Sequence, residues 1–451
     1  MASVATNQVQ QPIQSPASGK GSLAYYALCL FSVVYFFRPE DFISGSDIVP
    51  LGKIIGAVGL LGLIVGVRAH KRGSGWPLEL KLLLVLFVWQ CLTIPFAFWR
   101  GGAFSKVVNS CSKTVIIALL VTLAVHSFGQ LKRLLWIQAL AVAVTTVASV
   151  LLPHDNAGRL VGITGGVFSN PNDLAINIAV NWPLCLMFLL MARSFWKKAL
   201  WGVALLFMLR GIVLTFSRSG FLAVLVAVAF CLWEFGVRGK RLYLVGGALA
   251  LVLIAFAALP QNYTARLVSI FGVESRESMD RGSAEERKDL LFRSIAVTAA
   301  HPLFGLGPGN FEPYSGSWRV THNTYTELSS ECGIPALMLF LAVLVRAFGN
   351  VRKVRKASRY SDIEVRLVAG GLWAGLAAYV VGAFFASTAY QLYPYYMVAY
   401  TTVLFRITAL TEPVAPVVVA KTSAVELPPE PEDWQSRPGW QRALSGQRPT
   451  R

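Results

Sequence analysis

Charge is what this chain has least of. Asp, Glu, Lys and Arg make up 14% of its 451 residues, where soluble domains carry roughly 25%. With 55% of the residues apolar, an ordinary soluble domain is excluded, because too little polar surface remains to cover it. Metal-binding patterns are lacking too: no D-x-D or H-E-x-x-H occurs in the polar segments, and no metal site is expected. GPGN at 307–310 is not followed by G-K-[ST], which excludes a Walker loop and leaves a tight turn. Cys29, Cys91, Cys111, Cys185, Cys231 and Cys332 each fall in or beside a different apolar run, with no C-x-x-C. They read as buried small residues, not as a disulfide framework or a zinc site. Residues 1–21 lack the basic start and cleavage site of a signal peptide, so they read as a disordered tail before an uncleaved first span.

What is present is a series of apolar runs of membrane-crossing length. About twelve spans are predicted, near 22–37, 50–67, 79–98, 108–126, 134–152, 173–192, 199–216, 219–236, 242–259, 323–346, 366–388 and 391–409. The fold class is therefore an all-α polytopic membrane protein. The net charge of +18 would suit a nucleic-acid partner if the basic residues formed one patch. Instead they concentrate in alternate short loops, among them Arg68, Lys71 and Arg72; Lys132 and Arg133; Arg193, Lys197 and Lys198; and Arg346 to Arg366. That bias puts these loops and both termini in the cytoplasm, and no nucleic acid is expected. The tail from about 412 is Pro-rich and reads as disordered.

One large loop, 260–322, lies between spans nine and ten on the opposite, periplasmic side. Its second half opens the only long polar stretch, Ser283 to Ala336. Ala284 to Ala300 has helical spacing (Leu290, Leu291, Ile295, Val297, Thr298) and reads as an amphipathic helix on the membrane, stopped by His301-Pro302. A second outer loop, 153–172, is rich in Gly and Asn and offers Asn172 or Asp173 as a helix cap. Spans seven and eight join almost directly through Thr215–Gly220, which sets Arg218 at a helix N-terminus on the outer surface.

Of five histidines, His70 and His126 face the cytoplasm, and His154, His301 and His322 face outward. His301 reads as a helix stop. His322 stands at the mouth of span ten before Thr324-x-x-Glu327, a capping pattern. The positive end of that helix would hold the imidazole neutral, as a general base requires; a plain interfacial histidine is the alternative. Were His322 inside the helix, it would share a small polar face with Thr326, Ser329 and Gly333. Arg218 and Arg287 fit either interfacial anchors or a guanidinium clamp on a pyrophosphate. Arg210, inside span seven, is a further substrate candidate or a partner for a carboxylate such as Glu331. Glu331 is expected to pair with an arginine; Arg159 and Arg293 are lesser candidates.

His322-Asn323, nine residues, then Gly333-Ile-Pro-Ala336 resembles the H-[NSQ]-x9-G-x-x-[GTY] signature of bacterial O-antigen ligases, departing at Ala336. Ser217-Arg218-Ser219-Gly220 resembles the family's Ser-Arg-Gly/Ser turn. Ser283-x3-Arg287 followed by HPLFGLGPGNF resembles the start of its periplasmic loop. The resemblance, to the O-antigen ligase/Wzy-type polymerase family, covers about 150–390. It implies a metal-independent, cofactor-free inverting glycosyltransferase of the GT-C type in the bacterial inner membrane. The implied donor is an undecaprenyl-pyrophosphate-linked glycan, and the implied acceptor is a hydroxyl of another glycan, of lipid A core or of a protein. His322 would be the base; Arg218, Arg287 and Arg210 would hold the pyrophosphate, supported by Asn323, Glu331 and Arg159.

A transporter or flippase of lipid-linked glycans fits the span number equally, but predicts buried charges near the midplane and two matching halves. A membrane scaffold would need no polar cavity at all.

Overall fold

The computed structural model describes residues 22–37, 51–69, 75–152, 154–156, 159–162, 170–247, 278–316, 318–357 and 362–411. The two expected disordered tails, most of the ninth span and the first part of the large loop fall outside them.

Helices dominate. In chain order they are α1 (Leu23–Phe37), α2 (Leu51–Ala69), α3 (Leu78–Thr93), α4 (Arg100–Lys106), α5 (Ser112–Ala124), α6 (Phe128–Leu151), α7 (Pro171–Met191), α8 (Phe195–Leu214) and α9 (Arg218–Cys231). After the large loop come α10 (Ser278–Ala300), α11 (Phe311–Tyr314), α12 (Thr324–Ala357), α13 (Ile363–Gly382) and α14 (Tyr393–Thr411). A π-helical turn, Val107–Cys111, joins α4 to α5. The loop after α6 adds a small antiparallel hairpin that periodicity did not predict, β1 (His154–Asn156) and β2 (Arg159–Val161), in register His154 with Val161.

Seven of the described helical segments are long and apolar enough to cross a membrane, and α1 and α2 are shorter apolar helices. The side chains are distributed inside out. Leu61, Val65, Phe195 and Trp196 are 61%, 73%, 73% and 79% exposed in their helices. Meanwhile Gln138 and Asn181 are wholly buried and bonded: Gln138 Nε2 donates to Asn181 Oδ1 (2.7 Å), and Tyr400 Oη donates to Gln138 Oε1 (2.8 Å). A bilayer accepts this arrangement, because lipid takes the apolar exterior and protein satisfies the interior polar groups. The chain is a multi-pass membrane protein.

α7 is the centre. Almost every residue to Phe188 is buried, and it packs on α6, α8, α9 and α13. Its cap is Asn170, whose Oδ1 accepts from Asn172 N (2.8 Å), two residues before the position expected. The loop residues expected on one side pair with one another. Lys132 meets Glu364 (2.7 Å), Arg346 meets Glu79 (3.1 Å) and Arg355 meets Glu234 at one end. At the other end Phe98 N donates to Leu306 O (2.8 Å) and Thr324 N to Ala383 O (2.8 Å).

The bundle departs from regular helix within α12. Gly333 has φ 79° and ψ 171°, and Pro335 follows inside the helix. Pro335 has no N–H for the Glu331 carbonyl, and the break redirects the N–H of Ile334. The HPLFGLG segment makes good these losses. Leu306 N donates to Ser330 O (2.9 Å), Gly307 N to Glu331 O (2.7 Å), and Ile334 N to Pro302 O (2.8 Å). Trp89 Nε1 takes Cys332 O (2.9 Å). Phe304 stacks on Trp89 and Phe96 of the α3 region, with centroids 5.5 and 4.3 Å away. The loop is thus sewn into the helix break and onto α3.

A Cβ on Gly333 would sit 1.9 Å from Leu303 O, and its backbone angles are open essentially to glycine alone. Gly333→Ala should therefore cost upward of roughly 1–3 kcal/mol in backbone strain, with the clash in addition. A clear fall in thermal unfolding temperature of the detergent-solubilised protein checks this; an unchanged melt would contradict the break.

Candidate functional site

The site is built around the entry to α12. His322 is not part of the helix. It precedes the first turn with φ 54°, in the left-handed region, and Asn323 caps the helix, its Oδ1 accepting from Tyr325 N (2.9 Å) and Thr326 N (3.1 Å). The expected capping box is absent. Thr324 Oγ1 instead donates to Ala386 O (2.6 Å), and Glu327 accepts from Ala389 N (3.1 Å). The shared face of His322 with Thr326, Ser329 and Gly333 therefore does not form. Asn and His side chains tolerate this conformation better than branched ones, and the turn aims the imidazole off the helix axis.

His322 is half-buried. Burial first, then the guanidinium charges of Arg287 and Arg319, pull its imidazole down to about 4. The neutral ring was expected, but from the helix N-terminus; desolvation and two cations are the causes found. Arg287 comes from α10 and Arg319 from the irregular segment before His322. Arg319 also meets Glu286 at 3.2 Å, tying that segment to α10.

α10 starts at Ser278 and continues to Ala300, where His301 does end it. It turns Leu290, Ser294 and Val297 inward, whereas Ile295 points out. Thr298 Oγ1 meets Ser329 Oγ of α12 at 2.9 Å. Leu290 and Val297 form a small core with Leu306 and Phe311. The helix therefore covers the start of α12.

Glu331 differs from the expectation: among the described residues it bonds backbone and a tyrosine, not an arginine. It is 4% exposed and accepts from Gly309 N (2.6 Å), Phe311 N (3.3 Å) and Tyr390 Oη (2.6 Å). The GPGN turn, tight as expected with Gly307 and Gly309 at positive φ, is thus anchored on a buried carboxylate. Lys106 lies 4.8 Å from the Tyr390 ring centroid.

Arg218 is the first residue of α9, at the end of the bundle that carries His322. Its neighbour Ser217 caps the helix through Gly220 N (3.2 Å) and donates to Asn172 Oδ1 (2.8 Å). Arg159 braces the same turn, from Nε to Thr215 O (2.9 Å) and from Nη2 to Asn172 Oδ1 (3.1 Å). Asp173, next on α7, acts electrostatically on Glu327 of α12, so the α7–α9 turn and the α12 entry face one region. Arg210 does not join them. It is exposed on α8, while Met208, Gly211 and Ile212 turn inward. Arg293 is occupied by Asp289 (2.9 Å) and Ser315 O (3.2 Å). His70 and the side chain of His154 lie outside the described residues. Sequence reasoning missed Arg319, Asp173 and Lys106. Arg319 had a signal in its place three residues before His322; the others had none.

Removing the Glu331 carboxylate would strand a buried hydroxyl and two backbone donors. Glu331→Ala should cost several kcal/mol, at about 1–3 for each buried group left unmet, and Tyr390→Phe about 1 kcal/mol. Thermal unfolding in detergent measures both, and a Glu331→Ala loss no larger than that of Tyr390→Phe would contradict the anchoring role.

No curated protein matches the chain. Residues 203–341 match the family model described as O-Antigen ligase, a stretch that takes in Arg210, Arg218, Arg287, His322, Asn323 and Glu331 and leaves out Arg159. This stretch of the chain carries an O-antigen ligase domain, which supports kinship with the O-antigen ligase/Wzy-type proteins and a part in cell-surface polysaccharide biosynthesis.

Proposed function

We propose that the protein transfers a glycan from undecaprenyl pyrophosphate to an acceptor hydroxyl at the periplasmic face of the inner membrane. On this reading the chain has about twelve spans, with both termini cytoplasmic. His322 takes the proton of the acceptor hydroxyl as its oxygen attacks the anomeric carbon from the face opposite the leaving group. The bond from that carbon to the pyrophosphate oxygen breaks, inverting the centre, and the pyrophosphate departs with one further negative charge. Arg218 and Arg287 meet that charge, with Arg319 beside them, and no resident metal is required. The observation that carries the reading is His322, half-buried in an O-antigen ligase domain, with burial and the charges of Arg287 and Arg319 all disfavouring its protonated form. A base must be unprotonated and a departing diphosphate needs cations; the same arginines serve both ends, since they favour the neutral imidazole. These groups cluster at one end of the bundle, which favours transfer chemistry over a midplane transport path.

Lipid-linked glycan transfer in vitro tests the reading. His322→Ala should lower kcat by about a hundredfold or more with an unchanged melting temperature; activity within about tenfold of wild type would remove the base assignment. The pH profile tests the environment. A depressed imidazole stays neutral, and active, down to its own pKa, so kcat/KM should fall only as pH drops through about 4, below the usual imidazole value of about 6.5. Arg319→Gln removes a like charge and should move that acid limb upward. A wild-type limb at or above about 6.5 would contradict the buried, arginine-flanked base.

A further inference from the structure

Beside the His322 end lies a second cavity, of about 750 Å³, between α1, α2, the α4–α5 run and the segment before α14. Its walls are mostly apolar, with Phe31, Val34, Leu60 and Ile116 among them, yet three lysines line it: Lys53, Lys106 and Lys113. Among the described residues no Asp or Glu lines it. Lys106 acts electrostatically on Glu331, a carboxylate that is already bonded by three donors. Lys53 and Lys113 belong to apolar helices, where a cation is costly unless something anionic meets it. The polar wall is formed where the helix changes to the π-helical turn Val107–Cys111, which places Asn109 and Ser110 on the cavity with Lys106 and Lys113. Such turns are frequent at functional sites. The basic pocket at the opposite end differs: there Arg238 and Arg355 already hold Glu234.

An apolar trough with three ammonium groups along its wall fits a molecule that is both hydrocarbon and phosphate. We propose that this cavity binds an anionic lipid, its chain on the apolar wall and its phosphate on Lys53, Lys106 and Lys113, at a site separate from the arginines around His322. A bulk anionic phospholipid and a phosphorylated lipid acceptor offer the same chemistry. The second of these sources rests on the proposed function; the site itself does not.

Native mass spectrometry of the full chain in a zwitterionic detergent tests it, with phosphatidic acid, phosphatidylcholine and inorganic pyrophosphate as probes. Phosphatidic acid should bind best. Lys53→Met with Lys113→Met should weaken it by roughly thirtyfold, about fivefold for each lysine removed, whereas Lys53→Arg with Lys113→Arg should retain it. Photoreactive phosphatidic acid should label the 106–116 segment of the unaltered protein, a readout that needs no variant to fold. Equal binding of phosphatidylcholine, pyrophosphate binding as tightly as the lipid, or adducts indifferent to the Met pair would overturn the proposal. In the transfer assay, a rise in acceptor KM alone for the Met pair identifies the lipid as an acceptor, and unchanged constants with lost adducts identify a bulk phospholipid; both support the site. His322→Ala should keep the adduct, so failure of the catalytic reading would leave this one standing.

Discussion

The backbone break at Gly333 is the constraint on which the site depends. A spanning helix interrupted by a proline leaves carbonyls that lipid cannot satisfy, and each unmet group in hydrocarbon costs several kcal/mol. The protein meets them with the N–H groups of Leu306 and Gly307 and with the Trp89 indole. Broken backbone inside a membrane protein survives only where protein covers it, so the break and its covering segment require each other. The same contacts that complete the helix also fix the large loop over its mouth.

Glu331 extends that fastening. It lies two residues before the break, and its carboxylate collects Gly309 N and Phe311 N from the loop and Tyr390 Oη from the segment before α14. A buried carboxylate with three donors is held by hydrogen bonds and not by an ion pair. The GPGN turn supplies Gly309 N, and leads into Phe311 N, because glycine lets the chain reverse there at positive φ. The loop, the helix break and the last helical hairpin are therefore one polar joint, and His322 sits at its edge.

Much of the fold was legible because a bilayer demands apolar runs of set length, and those runs leave little ambiguity. The helix stop at His301, the turn at GPGN and the place of Arg218 at a helix N-terminus were legible from local chemistry alone. The break was not. Gly333 and Pro335 fall inside the predicted span 323–346, and an isolated glycine within a helical pattern is tolerated, so it does not by itself announce a break. The partners of Glu331 were invisible because they are backbone N–H groups from a distant loop, and no side chain announces them. Arg210 was misplaced because hydropathy assigns a residue to a span without saying which way it faces. His322 was expected at the mouth of the helix and lies there, but the cap itself was hidden by Thr324-x-x-Glu327, which imitates a capping box while Asn323 performs the capping.

The covering helix α10 does more than shield the site. It carries Arg287, it holds Arg319 through Glu286, and its inward face closes over the first turns of α12. The leading cause of the lowered His322 pKa is desolvation, and the next two are those arginines. All three depend on where α10 lies. Lifting the helix would admit water and withdraw both cations together, so the imidazole would regain affinity for a proton as the leaving-group clamp came apart. On the proposed transfer, base and clamp would form together: the helix that keeps the His322 imidazole neutral is also the one that would bring Arg287 and Arg319 to the departing diphosphate.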